Sequence, residues 1–154
     1  MMKRTQGLLF ALTMAVAGAT IAGGVAMAQD PAAVIAARQA ELKKAGDATK
    51  ALGGYAKGGD LTADEVKAHA ATIAAVAQAI PGWWPAGTAK GVGKSDALPA
   101  IWDKPDEFKA RIAAFQTESA KLVEAAAGGD RAAITAQFGK TAGTCKACHE
   151  GFRD

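Results

Sequence analysis

The residues best suited to chemistry stand together near the end of the chain, as Cys145-Lys146-Ala147-Cys148-His149. C-x-x-C-H is the attachment signature of c-type haem. On a helix, positions i, i+3 and i+4 share one face, so both sulfurs and the imidazole would point into one volume. Two thioether bonds would then fix a haem, and His149 would give its iron an axial nitrogen. Two other chemistries use the same side chains. Zinc asks for four ligands, and beyond these three the chain offers one more histidine, His69, and no further cysteine. A redox dithiol sits by preference at a helix N-terminus, where the dipole lowers the thiol pKa, whereas a long helix-compatible stretch precedes this motif. Haem satisfies ligand count and placement best.

A motif of this kind needs a helix to present it and neighbours to close the volume. From Gln29 on, alanine is abundant, strand-like alternation is absent, and Gly/Pro clusters divide the chain into four helical segments. The first opens at Asp30, with Pro31 as the first helical residue, and runs to Gly53-Gly54. Val34, Arg38, Leu42, Ala45, Thr49 and Leu52 keep one face of it, and an arginine inside that stripe needs a partner. The second starts at Thr62 with Glu65 three residues on, a capping box, and ends before Pro81-Gly82. Val66, Ile73, Val76 and Ile80 form its apolar face, with His69 on or beside it as a border residue rather than an iron ligand.

Residues 81–105 form a long connection carrying Trp83, Trp84 and Trp102, which belong against the bundle or against haem rather than in water. Asp103, two before Pro105, starts the third helix, where Phe108, Ile112, Phe115, Ser119, Leu122 and Ala126 show the heptad spacing of a bundle seam up to Gly128-Gly129. Asp130 caps the fourth. Ile134, Phe138, Thr141, Cys145, Cys148 and Phe152 continue one stripe along it, so the motif lies on a core face and an attached cofactor would sit between helices.

The start of the chain reads differently. Lys3-Arg4 is a positive n-region, Leu8 to Ala22 an apolar h-region broken by Gly18, and Ala26-Met27-Ala28 a small-residue cleavage site. Residues 1–28 are expected to be a cleaved secretory signal peptide, and residues 29–154 the mature protein, without a membrane anchor. All four methionines, Met1, Met2, Met14 and Met27, would leave with the leader. Losing Lys3 and Arg4 takes Lys plus Arg from 18 to 16 against 15 acidic residues, a net charge of +1. Such a balance argues against nucleic acid or an anionic membrane as partner.

The Arg38-Gln39-x-x-Leu42 stretch, the Trp/Gly-rich connection ending Leu98-Pro99-Ala100-Ile101-Trp102 and the final Cys145-Lys-Ala-Cys-His149-Glu-Gly-Phe-Arg153 together resemble cytochrome c prime, the class II c-type cytochromes. The resemblance implies an all-α, antiparallel four-helix bundle, homodimeric through its first two helices, in a bacterial periplasm. It implies one covalently attached haem c per chain, with five-coordinate, high-spin iron that binds nitric oxide and carbon monoxide. Carried over residue by residue, Cys145 and Cys148 match the thioether pair and His149 the axial ligand. Arg38 and Gln39 match residues along the haem edge, Arg38 being suited to a propionate. Leu42 matches the bulky apolar group over the distal face, and Arg153 a basic residue near the proximal histidine. Ser95 and Asp96 match loop atoms near the haem edge.

Low-spin relatives draw a sixth ligand from a first-helix methionine, and here Leu42 stands on the matching side with no methionine left in the mature chain. A hydrocarbon cannot ligate iron. Lys43 and Lys44 follow Leu42 so closely that they should point off its face. Two functions remain open: electron transfer through brief docking on a redox partner protein, and binding of small gases. A low-spin carrier with an unidentified sixth ligand is the alternative within the class. An enzyme such as a peroxidase fits poorly, because Leu42 offers neither a base nor a charge to cleave an O–O bond.

Overall fold

The computed structural model describes residues 30–154, so the expected leader and the start at Gln29 lie outside the described residues. Its helices are α1 (Pro31–Ala56), α2 (Ala63–Ala79), α3 (Ala100–Asp103), α4 (Pro105–Gly128) and α5 (Arg131–Phe152), with a 3-10 turn, Ile80–Gly82, closing α2. The four long helices form an antiparallel bundle in which α1 packs on α2, α2 on α4 and α4 on α5. The ring closes through α5 and α1, the seam with the thinnest contact. No described helix is long and apolar enough to cross a membrane.

The start signals act as expected. The Asp30 carboxylate accepts from the Ala32 N–H at 3.0 Å. Thr62 and Glu65 complete their capping box, with Glu65 accepting from the Thr62 N–H at 2.8 Å and Thr62 Oγ1 accepting from the Glu65 N–H at 3.2 Å. The second of these donors would otherwise be an orphan of the first turn. Asp130 accepts from the Ala133 N–H at 2.6 Å and opens α5 directly after Gly129, whose φ of 75° reverses the chain out of α4.

Three details depart from the sequence reading. Helix α1 runs through Gly53-Gly54 to Ala56 and stops where Gly58 takes φ 103°. There the Gly59 and Gly58 N–H groups donate back to the Gly54 and Tyr55 carbonyls at 2.9 and 3.0 Å, a Schellman closure. The stop is set by the residue that can turn left-handed, not by the first glycines met. Asp103 ends the short α3 instead of capping α4. Lys104, held at φ −128° and ψ 59° by the following proline, makes the break, and Pro105 begins α4. On α1 the buried positions are Ile35, Arg38, Ala45, Ala48 and Leu52, whereas Val34, Leu42 and Thr49 are half-buried. Leu42 and Thr49 line a cavity, and Leu42 also packs on the edge of the core.

The α4 seam matches its reading in full: Phe108, Ile112, Phe115, Ser119, Leu122 and Ala126 are all buried. With Leu52, Ile73 and Val76 they make one core, and its apolar burial is the main favourable term holding the helices together.

The long connection is ordered from α1. Arg38, 4 % exposed, threads inward from α1, where its Nη1 donates to Thr88 Oγ1 at 3.1 Å and Trp83 O at 3.4 Å. Its Nη2 donates to Thr88 O at 3.1 Å and Ser95 Oγ at 3.0 Å. One turn away, Gln39 Nε2 donates to Lys94 O at 2.7 Å. The far end of the connection is tied to the chain terminus: Leu98 N–H donates to Phe152 O at 3.0 Å and Asp154 N–H to Asp96 O at 2.9 Å.

Two stability predictions follow from these contacts. Thr62→Ala removes the cap and should lower unfolding free energy by about 1 kcal/mol, read as a lower urea midpoint with unchanged slope. Arg38→Met keeps the stem but removes all four guanidinium hydrogen bonds, leaving Thr88 and Ser95 only the bonds they make to Pro85, to each other and to the Ala97 N–H. It should cost about 2–3 kcal/mol and speed amide hydrogen exchange through residues 88–97, while exchange in α4 is unaffected at low denaturant.

Candidate functional site

A cavity of about 510 Å³ opens between α1, α4, α5 and the long connection, within the size class of sites that enclose a small molecule or cofactor. Helix α5 contributes Thr144, Cys145, Cys148, His149 and Phe152 to its wall. These positions repeat at three and four, so the same periodicity that buries Ile134 and Thr141 farther up the helix turns the motif inward.

The electrostatics of the motif separate the three chemistries that its residue types allow. Burial pushes the Cys145 thiol above its ordinary pKa. Burial, and then the neighbouring Cys145, do the same for Cys148. Cys145 Sγ has only the Thr141 carbonyl, at 3.7 Å, to donate to. A reactive redox pair needs the opposite, a stabilised thiolate. Among the described residues no three His, Cys, Asp or Glu side chains are grouped so as to hold a metal ion, which removes the zinc arrangement. Burial, and then the Arg153 charge, lower the His149 pKa below its usual value, so its imidazole is neutral at pH 7 with a lone pair to give.

The structure brings most of the predicted site residues to this one cavity. Arg38, Gln39, Leu42, Asp96, Cys145, Cys148, His149 and Arg153 all line it. Arg153 lies 3.6 Å from Asp96 as an exposed ion pair. Ser95 does not line it. Buried at 5 % exposure, it accepts from Arg38 and donates to Thr88 O at 2.8 Å, so it shapes the connection from behind Arg38. Lys43, expected to point away from Leu42, is part of the cavity rim, yet its ammonium is drawn outward to Asp47 at 2.6 Å. His69 is half-buried on α2 and does not reach the cavity.

One charged lining residue, Arg111, went unread in the sequence. Arg111 follows Phe108 by three on α4, a spacing that shares its face, and its charge acts on Cys148. Of the three tryptophans, Trp84 is the one that lines this cavity. The Arg38 guanidinium lies 4.3 Å above its ring and Phe108 packs edge-on at 5.2 Å.

This lining fits a haem. The walls are mostly aliphatic and aromatic, as a flat macrocycle requires, while the guanidinium groups of Arg38, Arg111 and Arg153 outnumber the single lining carboxylate, Asp96, the Lys43 ammonium being turned out to Asp47. A haem brings two propionates to such an excess. Arg38 makes the point most sharply, because all four of its hydrogen bonds go to neutral oxygens, and a buried guanidinium is best offset by an anion.

Comparison with known proteins agrees. The family model described as cytochrome c prime matches residues 33–153. Cytochrome c prime of Pararhodospirillum photometricum is 39 % identical over 124 residues, which cover 80 % of this chain and 98 % of that protein. Among solved structures, a cytochrome c prime with ligand-controlled dimer dissociation superposes with a TM-score of 0.76 at 27 % identity, over 82 % of this chain and 98 % of that one. The nitric oxide complex of a variant cytochrome c prime from Alcaligenes xylosoxidans gives 0.74 at 28 % identity, with the same coverage. A motif on the inner face of the last helix, a cavity ringed by cations and a match along almost all the described residues meet in one assignment: the chain belongs to the cytochrome c prime family and carries covalently attached haem c.

Proposed function

We propose that this protein is a periplasmic, five-coordinate, high-spin haem protein whose open iron position takes nitric oxide or carbon monoxide, and which also passes electrons to a transient redox partner. Members of the family bind gases and carry electrons, and neither role calls for an enzyme's acid or base. Cys145 and Cys148 would hold the haem by thioether bonds, and His149 would supply the axial nitrogen. Arg38 and Gln39, with Asp96 and Arg153, would border its edge. Bound haem supplies a one-electron iron centre with one coordination position for a small ligand.

The observation that carries the five-coordinate reading is the material of the wall built by α1 and α2. It consists of Leu42, Ala45, Gly46, Thr49 and Val76, with Arg38, Gln39 and Lys43 toward the rim, and contains no methionine, histidine or carboxylate. Leu42 would exclude water from that side and yield only to a small ligand. The relative solved as a nitric oxide complex supports the same reading.

The test is the visible absorption spectrum, oxidised, reduced and with carbon monoxide. High-spin bands at pH 7 are expected, and a low-spin bis-axial spectrum would overturn the proposal in favour of simple electron transfer. Leu42→Ala should admit water to the oxidised iron and raise carbon monoxide affinity, read by titration.

Export to the periplasm rests on the leader-like residues 1–28, and dimerisation on the relative whose dimer responds to ligand. Native mass spectrometry of protein expressed with haem-maturation machinery should show two chains per particle, each beginning at Gln29 and each heavier by one haem. A full-length mass without haem would refute both the export and the attachment.

A further inference from the structure

His149 stands in the last turn of α5, which ends at Phe152. A final turn leaves its carbonyls without partners inside the helix, and such ends are poorly ordered unless something ties them down. Here the tie is a short β-type pairing. Ala97 and Arg153 form an antiparallel bridge, flanked by Leu98 N–H donating to Phe152 O at 3.0 Å and Asp154 N–H donating to Asp96 O at 2.9 Å. Arg153 N–H donates in turn to His149 O at 3.1 Å, so the bridged residue is one hydrogen bond away from the histidine. Ala97 and Phe152 are buried. The ion pairs of Lys90 with Asp154 and of Arg153 with Asp96 lie outside this pairing, and being exposed they add little.

The other side of the strap is anchored inside the molecule. Lys90 N–H donates to Ala97 O at 2.7 Å, and Ser95 Oγ accepts from the Ala97 N–H at 3.3 Å. Ser95 is itself held by Arg38 and by Thr88 O. Residues 95–98 therefore stand on a buried guanidinium of α1 and pair with the residues that follow the histidine. Groups behind a metal ligand that fix its orientation tune the metal as well. We propose that this strap positions the axial ligand: by holding the last turn of α5 helical it keeps the His149 imidazole aligned on the iron. Ser95 and Leu98 are then positioning residues, since neither lines the cavity. The inference rests on ligation of haem iron by His149.

The experiment reads the iron–histidine stretching band of the reduced holoprotein by resonance Raman spectroscopy. Leu98→Pro removes the N–H from which Phe152 O accepts, while Leu98→Ala loses the side chain and keeps that N–H. Ser95→Ala releases the strap from Arg38 without touching the cavity wall. The expected result is a band lower in frequency and broader in Leu98→Pro and Ser95→Ala, and unmoved in Leu98→Ala. In the wild-type ferrous carbon monoxide complex, which is diamagnetic, the Leu98, Arg153 and Asp154 amide protons should exchange slowly. Fast exchange of those protons, a band at the wild-type position in Leu98→Pro or Ser95→Ala, or an equal shift in Leu98→Ala would overturn the proposal. The wild-type exchange decides the matter even where a variant folds poorly. A reduced wild type without the band, or one whose mass shows no attached haem, would overturn the underlying reading of His149 and the proposal with it, an outcome distinct from an unmoved band.

Discussion

A guanidinium buried at 4 % exposure is the constraint on which the rest of this structure turns. Removing a charge from water is costly unless dense hydrogen bonding and an opposite charge offset it. Burial accordingly pulls the Arg38 pKa below its ordinary value. Trp83, Thr88 and Ser95 supply the hydrogen bonds, and in doing so they fold the long connection against α1. The folded connection places Asp96 beside Arg153 and lets its backbone pair with the segment just past His149. The order thus passes from one side chain on the first helix to the end of the last. What the protein's own atoms do not supply is the counter-charge, and a propionate is suited to complete it.

The second constraint is volume. A cavity of about 510 Å³ is far larger than the gaps a close-packed interior leaves between its own side chains. Haem is therefore part of the core of this bundle and not a guest in it. That accounts for the composition of α5, where alanine, glycine and threonine are common and Ile134, Thr141 and Phe152 are its buried residues. It also accounts for the thin contact between α1 and α5. Two covalent tethers suit such a design, since an apolar group this large would otherwise leave with most of the core.

Much of this was legible because helix periodicity and caps are local. The α4 seam, the Thr62 box, the Asp130 cap and the inward face of the motif are each written within a few consecutive residues. The misread features depend on longer-range or competing effects. Gly53 and Gly54 look like a stop, but a glycine ends a helix only where the chain turns left-handed, and Gly58 does so. Asp103 looks like a cap, but the constraint of Pro105 on Lys104 prevails. The hydrogen bond of Ser95 to Arg38, fifty-seven residues away, is a long-range contact that no local pattern announces. Arg111 shares the face of Phe108 by its spacing of three, but a charged residue on a seam helix is usually solvated, so spacing alone does not single it out.

The cavity is asymmetric in its materials, and the asymmetry bears on what it can bind. The wall from α1 and α2 is largely hydrocarbon around Leu42, Ala45 and Val76, while Arg111, Arg153 and Asp96 stand on the side of Cys148 and His149. Burial first and the Arg153 charge second oppose protonation of the His149 imidazole, and the exposed pairing of Arg153 with Asp96 at 3.6 Å weakens the second effect. An apolar wall adds no ligand and no hydrogen-bond donor, so what lies against it is selected by shape and desolvation. A neutral imidazole on one side and hydrocarbon on the other thus suit the two faces of a flat, largely apolar macrocycle.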